Sequence, residues 1–442
     1  MIKWQKFHFI GVKILVAAAV GNLILRFARM TSSQTAQACR IYLRYDQKIS
    51  DIERFNNPQT TLYAPEWVSE GLRILGERMR GTEFEIYDSS STIGSSKFQL
   101  SSPLTLLELQ KTARNEQSNT SGRIELSNYH PALEDKLDEI ISLKDLGRQT
   151  IIVGKDTTTH YGGFRMNLQD QPNVPVYVVD LAGLQFQQPY NSGRLVLITF
   201  GNTGKRTLDD LIFENVVGET KHTYEEASTK ADQGDSRFIA VQSSLWRRKV
   251  YFDSYAYRKF VANDVLLTGR ALVDTVEKHS PDDRLNFKFL KYGSGFFAHD
   301  FGHVVNELIL SGVVDGLEIL FRDDRVASVI KHLEFPFYEK DDDSMQRLQL
   351  LKDKYGVDNS FSQDDALKET KAGLITATTN CADSMAVIGN EMRYGSVDAA
   401  IAENLESKGN TFCPILNPEM QVKLIDIRQR LIEDQETSNV DR

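Results

Sequence analysis

The sequence predicts an α/β protein built on a mainly parallel sheet. Five short apolar runs have the composition of strands, and segments with helical spacing separate most of them. Strands that alternate with helices are typical of parallel βαβ units. The predicted strands cover residues 174–179, 194–200, 237–242, 285–290 and 317–321.

Helical patterns connect and flank these strands. We expect helices at 65–80, 131–146, 208–227, 255–278, 298–310, 344–355, 364–389 and 417–436. The chain has 442 residues, which is enough for two or three domains. We predict a basic apolar segment at 1–39, a mixed and mostly helical region at 40–171, the α/β domain at 172–335, and a helical C-terminal region with a polar tail at 336–442.

The composition is that of an ordinary soluble protein, with 41% hydrophobic and 26% charged residues. The net charge of −9 argues against nucleic-acid binding, which needs a basic face. The three cysteines, Cys39, Cys381 and Cys413, are far apart and form no Cys-x-x-Cys pair. A disulfide framework or a structural zinc site is therefore not expected, and a reducing compartment fits better.

The N-terminal region is basic and partly apolar. No acidic residue precedes Asp46, whereas seven lysines and arginines do. Residues 9–25, from Phe9 to Leu25, are mostly apolar but contain Lys13 and Asn22. A membrane-spanning helix needs about 20 apolar residues. We therefore expect a buried helix or a helix at a membrane surface, with a membrane anchor and a targeting peptide as alternatives.

A strand, a glycine-rich loop and a helix follow one another at 285–310. The loop contains Gly293, Ser294, Gly295, Phe296 and Phe297. Its small residues let backbone N–H groups approach a ligand, and the dipole of the following helix also favours an anion there. The two phenylalanines add a surface for stacking. The segment therefore predicts a site for a nucleotide diphosphate, with a purely structural turn as the alternative.

Polar or glycine-rich residues follow four of the predicted strands. Open parallel sheets bind their ligands at the carboxyl ends of the strands, so these residues are candidates for one common site. They are Asp180, residues 201–204, the loop at 293–297, and the pair Asp323 and Asp324.

The order of these elements resembles a macro domain, the fold that binds ADP-ribose, over residues 172–325. Val178-Val179-Asp180-Leu181 stands where the family has a strand ending in Gly-Asp-Ile. Thr199-Phe200-Gly201-Asn202 stands at the Asn-Ala-Ala-Asn motif, and Thr203-Gly204-Lys205-Arg206 replaces the glycine-rich catalytic loop. Ser294-Gly295-Phe296-Phe297 matches the diphosphate loop in part.

More narrowly, the whole chain resembles the MavL-like bacterial effector family, which carries a divergent macro domain between helical segments. The resemblance rests on Phe-Lys-Phe-Leu-Lys-Tyr-Gly-Ser-Gly-Phe-Phe-Ala at 287–298, on the chain length and on the polar C-terminal tail. It implies a macro-like three-layer α/β/α domain and type IV secretion into the cytoplasm of a host cell. It also implies an ADP-ribosyl hydrolase that removes ADP-ribose from a modified protein, with ubiquitin as the expected carrier. No cofactor or metal is expected.

The resemblance further implies roles for single residues. Asp180, with Leu181 beside it, would hold the adenine, Asn202 would contact the distal ribose, and the loop from Gly293 to Phe297 would bind the diphosphate. The catalytic aspartate would be Asp323, Asp315 or Asp300, and the sequence does not choose among them. It would activate a water for attack through an oxocarbenium-like transition state. The altered loop after Asn202 favours an alternative, a non-enzymatic ADP-ribose reader or host-protein binding module.

A third hypothesis is a metal-dependent hydrolase. His299-Asp300-Phe301-Gly302-His303 places two histidines at i and i+4, the spacing that a metal site on a helix needs. The motif resembles the zincin His-Glu-x-x-His only in part, because Asp300 replaces the glutamate and no third ligand follows at short spacing. A helix start that these residues cap and pack is the structural alternative.

Overall fold

The structure is a computed structural model that describes residues 40–45, 60–78, 83–88, 96–99, 124–127, 146, 149–160, 173–182, 198–199, 208–244, 247–293, 296–363, 371–382 and 421–427. All of these residues lie in one compact unit, Arg40–Arg442. The strands are β1 (Arg40–Tyr45), β2 (Thr61–Pro65), β3 (Glu83–Asp88), β4 (Ser96–Gln99), β5 (Ile124–Ser127), β6 (Ile151–His160), β7 (Asn173–Ala182), β8 (Ile198–Thr199), β9 (Phe238–Ser243), β10 (Arg248–Asp253), β11 (Leu285–Lys288), β12 (Ile330–Pro336), β13 (Asp358–Ser362), β14 (Ile375–Ala382) and β15 (Gln421–Ile425). The helices are α1 (Glu66–Arg78), α2 (Leu208–Val217), α3 (Tyr224–Asp232), α4 (Ser254–His279), α5 (Gly302–Leu320), α6 (Asp324–Val329) and α7 (Asp342–Tyr355), and a 3-10 turn (Phe296–Phe301) precedes α5.

The largest sheet has eight strands in the order β13-β12-β11-β14-β7-β6-β2-β15. Every neighbouring pair from β13 to β7 is parallel. Only β6 runs against the others, because it pairs antiparallel with both β7 and β2, and β15 is parallel to β2. A four-stranded sheet, β4-β3-β1-β5, and a three-stranded antiparallel sheet, β8-β10-β9, accompany it. The fold is therefore mixed α/β with a mostly parallel main sheet, as the sequence predicts.

Two long helices, α4 and α5, run side by side and in the same direction. Phe301, just before α5, stacks on Phe252, just before α4, with ring centroids 5.5 Å apart. Further along, Gly316 lies so close to α4 that an added Cβ would stand 2.7 Å from the Cβ of Val265. The third helix of this layer, α7, is joined to α5 through Arg347, which bonds Asp315 at 2.7 Å.

The two faces of the main sheet differ in polarity. The helix-covered face is largely apolar, and its polar contacts include the Tyr63 hydroxyl, which bonds Asp274 of α4 at 2.8 Å. The opposite face of β11, β12 and β14 is lined with buried polar side chains. They are Asn286, Lys288, His332, Glu334, Thr376 and Thr378.

The predicted strand at 317–321 is wrong, because Gly302–Leu320 is one continuous α-helix. The apolar run Leu317, Ile319 and Leu320 and the two nearby glycines favoured a turn followed by a strand. In the structure the glycines instead allow close contact between α5 and α4, and ten residues of α5 are buried. Tertiary packing thus overrides the local strand propensity.

The helices predicted at 364–389 and 417–436 are also wrong where the structure describes them, since these ranges contain β14 and β15. In the described parts of 40–171, strands outnumber helices. The main sheet takes strands from residue 61 to residue 425, so the range 172–335 does not enclose it. Short apolar runs are ambiguous between strand and helix, and these strands pair only with partners distant in sequence.

Other sequence predictions are confirmed. The expected helices at 65–80, 255–278 and 344–355 correspond to α1, α4 and α7, and the strand at 174–179 lies within β7. The helix expected at 208–227 is interrupted by Gly218, which has φ of 84°. No helix among the described residues is long and apolar enough to cross a membrane. The expected helix at 9–25 lies outside the described residues, and so does most of the one at 131–146.

Candidate functional site

Five adjacent parallel strands, from β13 to β7 in the sheet order, bring their carboxyl ends to one edge of the main sheet. On this edge β11 lies between β12 and β14, and β7 follows β14. Asp180, near the end of β7, is in register with Asn380 of β14. Gly293 lies five residues beyond the end of β11. The structure therefore places the backbones of Asp180 and Gly293 at the same edge.

The chain that leaves β11 is firmly held before it reaches the loop. The Leu290 amide donates to the Thr379 hydroxyl at 2.8 Å, and the Tyr338 hydroxyl donates to the Leu290 carbonyl at 3.3 Å. Tyr292 donates to Asp264 of α4 at 2.6 Å. These contacts fix the direction in which the loop starts.

Gly293 adopts φ of 65°, a left-handed conformation that favours glycine. Ser294 and Gly295 lie outside the described residues. Phe296 and Phe297 begin the 3-10 turn that leads into α5, and their side chains are outside the description. The 3-10 turn and then α5 follow Gly293 in the chain, and a helix start of this kind at the carboxyl edge is the expected place for an anion.

Lys291 is a residue of this edge that the sequence analysis missed. Only 11% of its side chain is exposed, and the nearest described carboxylate, that of Glu339, is 4.0 Å away. Burial lowers the pKa of Lys291, and the charge of Glu339 opposes that effect only in part. A nearly buried ammonium with such a distant counter-ion is suited to bind an anion at this edge.

Phe337 is a second missed residue, and it follows the carboxyl end of β12. Its φ of 63° is uncommon for a bulky side chain, yet 40% of the residue is exposed. The Phe337 amide donates to the carbonyl of Ser362 at 2.8 Å, which holds the strained backbone in place. Such strain is concentrated at functional sites, and the exposed ring offers a surface for stacking.

The predicted catalytic residue Asp300 holds a hairpin in place. Its carboxylate accepts hydrogen bonds from the Ser243 hydroxyl at 2.9 Å and from the amide and the hydroxyl of Ser244, both at 2.8 Å. These bonds tie the end of β9 to the turn before α5. The observed role is therefore structural.

Asp315 was predicted to precede a strand and Asp323 to follow it, but that strand is part of α5. Asp315 forms ion pairs with Arg258 and Arg347, both at 2.7 Å. Asp323 caps α6 by accepting from the Arg325 amide at 3.2 Å, and it pairs with the same guanidinium at 2.7 Å. Both aspartates connect helices or cap them, away from the edge that carries Gly293.

Leu181 and Asn202 are two further residues that were predicted to contact the ligand. Leu181 is 2% exposed and therefore packs in the core. Asn202 lies outside the described residues, and the short strand before it, β8, pairs with β10 in the three-stranded sheet and not with the main sheet. The sequence predicted that Asp180 and Asn202 lie on one sheet, and the described structure does not include that arrangement.

The metal hypothesis loses its geometric basis. His299 lies in the 3-10 turn, whereas α5 begins at Gly302, so His299 and His303 do not share one regular α-helix. The side chain of His303 is exposed. Within the described ranges, no group of three or more His, Cys, Asp and Glu side chains is arranged to hold a metal ion.

Comparison with known proteins gives no assignment. No protein-family model matches the chain, and no curated protein matches it.

Proposed function

We propose that this protein binds ADP-ribose carried on another protein, at the carboxyl edge of its main sheet. The observation that supports this most directly is Lys291, a nearly buried cation whose nearest described carboxylate is 4.0 Å away. It lies two residues before Gly293, in the segment that leads through the 3-10 turn into α5. An ammonium group and the backbone amides of a glycine-rich loop are the groups that a diphosphate site needs.

The edge also offers a contact at each end of such a ligand. Neighbouring strands are about 4.8 Å apart, so the distance from β12 to β7 is about 14 Å. A diphosphate at the end of β11 would therefore have Phe337 on one side and Asp180 on the other. We place the adenine on the exposed ring of Phe337 and the distal ribose towards Asp180, which reverses the direction implied by the family resemblance.

We further propose that the domain is macro-like, with helices on both faces of the sheet. The parallel arrangement of β13 to β7 and the layer of α4, α5 and α7 on one face are compatible with this architecture.

Hydrolysis of the link to the carrier protein is the proposed activity. Water would attack the anomeric carbon of the distal ribose, the bond to the side chain would break, and the side chain would leave with a proton. A carboxylate near that carbon would stabilise the oxocarbenium-like charge. Asp300 is held by Ser243 and Ser244, and Asp315 and Asp323 lie away from this edge, so we assign this role to Asp180.

A non-enzymatic reader of ADP-ribose is the second candidate. It is favoured by the engagement of Asp300, Asp315 and Asp323 in structural contacts. Ubiquitin as the carrier, and secretion into a host cell, remain proposals that rest on the resemblance to bacterial effectors.

Calorimetric titration with ADP-ribose tests the binding proposal. Lys291→Gln should weaken binding by about tenfold or more, because a charge-assisted hydrogen bond contributes about 1.5–3 kcal/mol. Lys354→Gln is the matched control, since Lys354 is exposed near the C-terminal end of α7 and precedes β13 at the opposite edge. Absence of binding by the wild-type protein, or equal effects of both substitutions, would reject the site.

Turnover is measured separately on ADP-ribosylated ubiquitin. Release of ADP-ribose that is lost in Asp180→Asn, while binding persists, would support the hydrolase. Tight binding without release would identify the reader.

A further inference from the structure

Glu339 is close to both Phe337 and Lys291 at the carboxyl edge. It follows Phe337 by two residues, so the Cα atoms of the two residues are within about 7 Å of each other. Its carboxylate oxygen is 4.0 Å from the Lys291 ammonium nitrogen. A ligand that stacks on the Phe337 ring and reaches the Lys291 ammonium therefore passes beside this carboxylate.

The backbone at Glu339 is held on both sides, although the side chain is 77% exposed. On one side, the buried Tyr338 hydroxyl donates to the Leu290 carbonyl at 3.3 Å, which ties this turn to the chain that leaves β11. On the other side, the Lys340 ammonium lies over the ring of Phe361, 5.0 Å from its centroid. The turn thus presents the carboxylate to solvent from a fixed position.

The carboxylate of Glu339 is able to accept further hydrogen bonds. Within the described part of the chain its contact is with Lys291, and 4.0 Å is beyond hydrogen-bonding distance. An exposed ion pair of this length contributes little to stability. Both carboxylate oxygens can therefore accept from the hydroxyl groups of a ligand.

We propose that Glu339 binds the hydroxyl groups of the adenosine ribose and selects ADP-ribose that carries no 2′-phosphate, an inference that rests on the function proposed above. The adenosine ribose connects the adenine to the diphosphate, so it would lie between Phe337 and Lys291 and beside Glu339. In dinucleotide-binding folds an acidic side chain accepts from the ribose 2′-hydroxyl in the same way.

A 2′-phosphate would not fit beside Glu339 for two reasons. It brings further negative charge next to the carboxylate, and it replaces the hydroxyl that donates to it. Lys340 does not offset this repulsion, because its ammonium lies over the ring of Phe361. The site would therefore take ADP-ribose groups that derive from NAD and reject those that derive from NADP.

Calorimetric titration of the full chain with ADP-ribose and with 2′-phospho-ADP-ribose tests this selectivity. The wild-type protein should bind ADP-ribose about tenfold more tightly or better, the factor that a hydrogen bond to a charged group usually contributes. Glu339→Gln should lose most of this ratio, and Glu339→Arg should reverse it, because a guanidinium accommodates a 2′-phosphate. Glu225→Gln removes the same charge from an exposed position on α3, so this matched control should keep the ratio.

Two results would overturn the role of Glu339 while the ADP-ribose site remains. One is equal affinity of the wild-type protein for ADP-ribose and its 2′-phosphorylated form. The other is equal tightening of both ligands in Glu339→Gln, since the carboxylate would then only compete with the phosphates for Lys291. If the wild-type protein binds neither ligand, the site itself is rejected, and the role of Glu339 with it.

Discussion

Lys288 and Glu334 face each other across β11 and β12, with the ammonium nitrogen 3.5 Å from a carboxylate oxygen and neither side chain exposed. The carboxylate also accepts hydrogen bonds from Asn286 at 3.0 Å and from Ser362 at 2.6 Å. Glu334 of β12 is thus bonded to side chains of both neighbouring strands, β11 and β13. The arrangement specifies which strands pair and in which register, because a shift would leave buried charges without partners.

Glu334→Gln should therefore reduce the free energy of unfolding by about 3–5 kcal/mol, the usual cost of removing one partner of a buried ion pair. Lys288→Met combined with Glu334→Gln should recover part of this loss, since no buried ammonium then remains. Urea denaturation of both single variants and the double variant measures the coupling. Glu70→Gln, in an exposed pair with Arg73, is the control and should have little effect. Strictly additive losses at Lys288 and Glu334 would contradict the coupling.

His332 continues the same polar row and predicts a dependence of stability on pH. The Asn286 amide nitrogen donates to Glu334, and the Asn286 oxygen accepts from the His332 Nδ1–H, 2.7 Å away. Burial, as the largest cause, lowers the pKa of His332. The native state therefore resists protonation, whereas an unfolded histidine takes up a proton below a pH of about 6.5.

The folded protein should lose stability as pH falls below about 6.5, because the unfolded state then binds more protons. Burial also lowers the pKa of His222 and His279, so they act in the same direction. His332→Gln should reduce the difference between the free energies of unfolding measured by urea at neutral and mildly acidic pH. The same substitution at the exposed His303 is the matched control, and equal reduction by both variants would refute this role of His332.

The close contact between α4 and α5 predicts how much stability is lost when Gly316 or Gly269 is replaced by alanine. A Cβ added to Gly316 would stand 2.8 Å from the backbone oxygen of Ala262, which cannot move without shifting α4. Gly316→Ala should destabilise the protein by about 1–3 kcal/mol. Gly269→Ala should cost less, because its contact is with the methyl groups of Leu320, which can change rotamer. Thermal unfolding of both variants gives the comparison, and a larger loss at Gly269 would contradict it.

The sequence predicts those elements of the fold that depend on interactions between residues close in the chain, and it fails for those that depend on distant residues. The helix Ser254–His279 was predicted nearly to its ends, because its apolar spacing and its cap at Asp253 are local. The strand β12 was not predicted, and its seven residues contain the buried polar pair His332 and Glu334, which break the apolar pattern of a central strand. Their partners, Asn286 and Lys288, lie about 46 residues earlier in the chain.

In the candidate site, too, local features could be predicted from the sequence and long-range contacts could not. Gly293 carried a local signal, since glycine suits the left-handed turn that it adopts. Lys291 and Phe337 carried none, because the burial of an ammonium group and the strain of a backbone angle arise only from the packed edge. The ion pairs of Asp315 could not be predicted for a related reason. Its two arginine partners come from α4 and α7, which the sequence does not show to be neighbours.

Substitutions of Phe337 distinguish a functional role of this residue from a structural one. A left-handed conformation costs a bulky residue about 1–2 kcal/mol, whereas asparagine tolerates it. Phe337→Asn should therefore keep or raise the melting temperature. If the ring stacks on the adenine, the same substitution should weaken ADP-ribose binding by about 1–3 kcal/mol, the usual contribution of a base stacked on an aromatic side chain. Phe337→Tyr keeps the ring and should bind like the wild-type protein. Loss of stability with unchanged affinity would instead make the ring part of the core, and the strain at this edge would then serve packing alone.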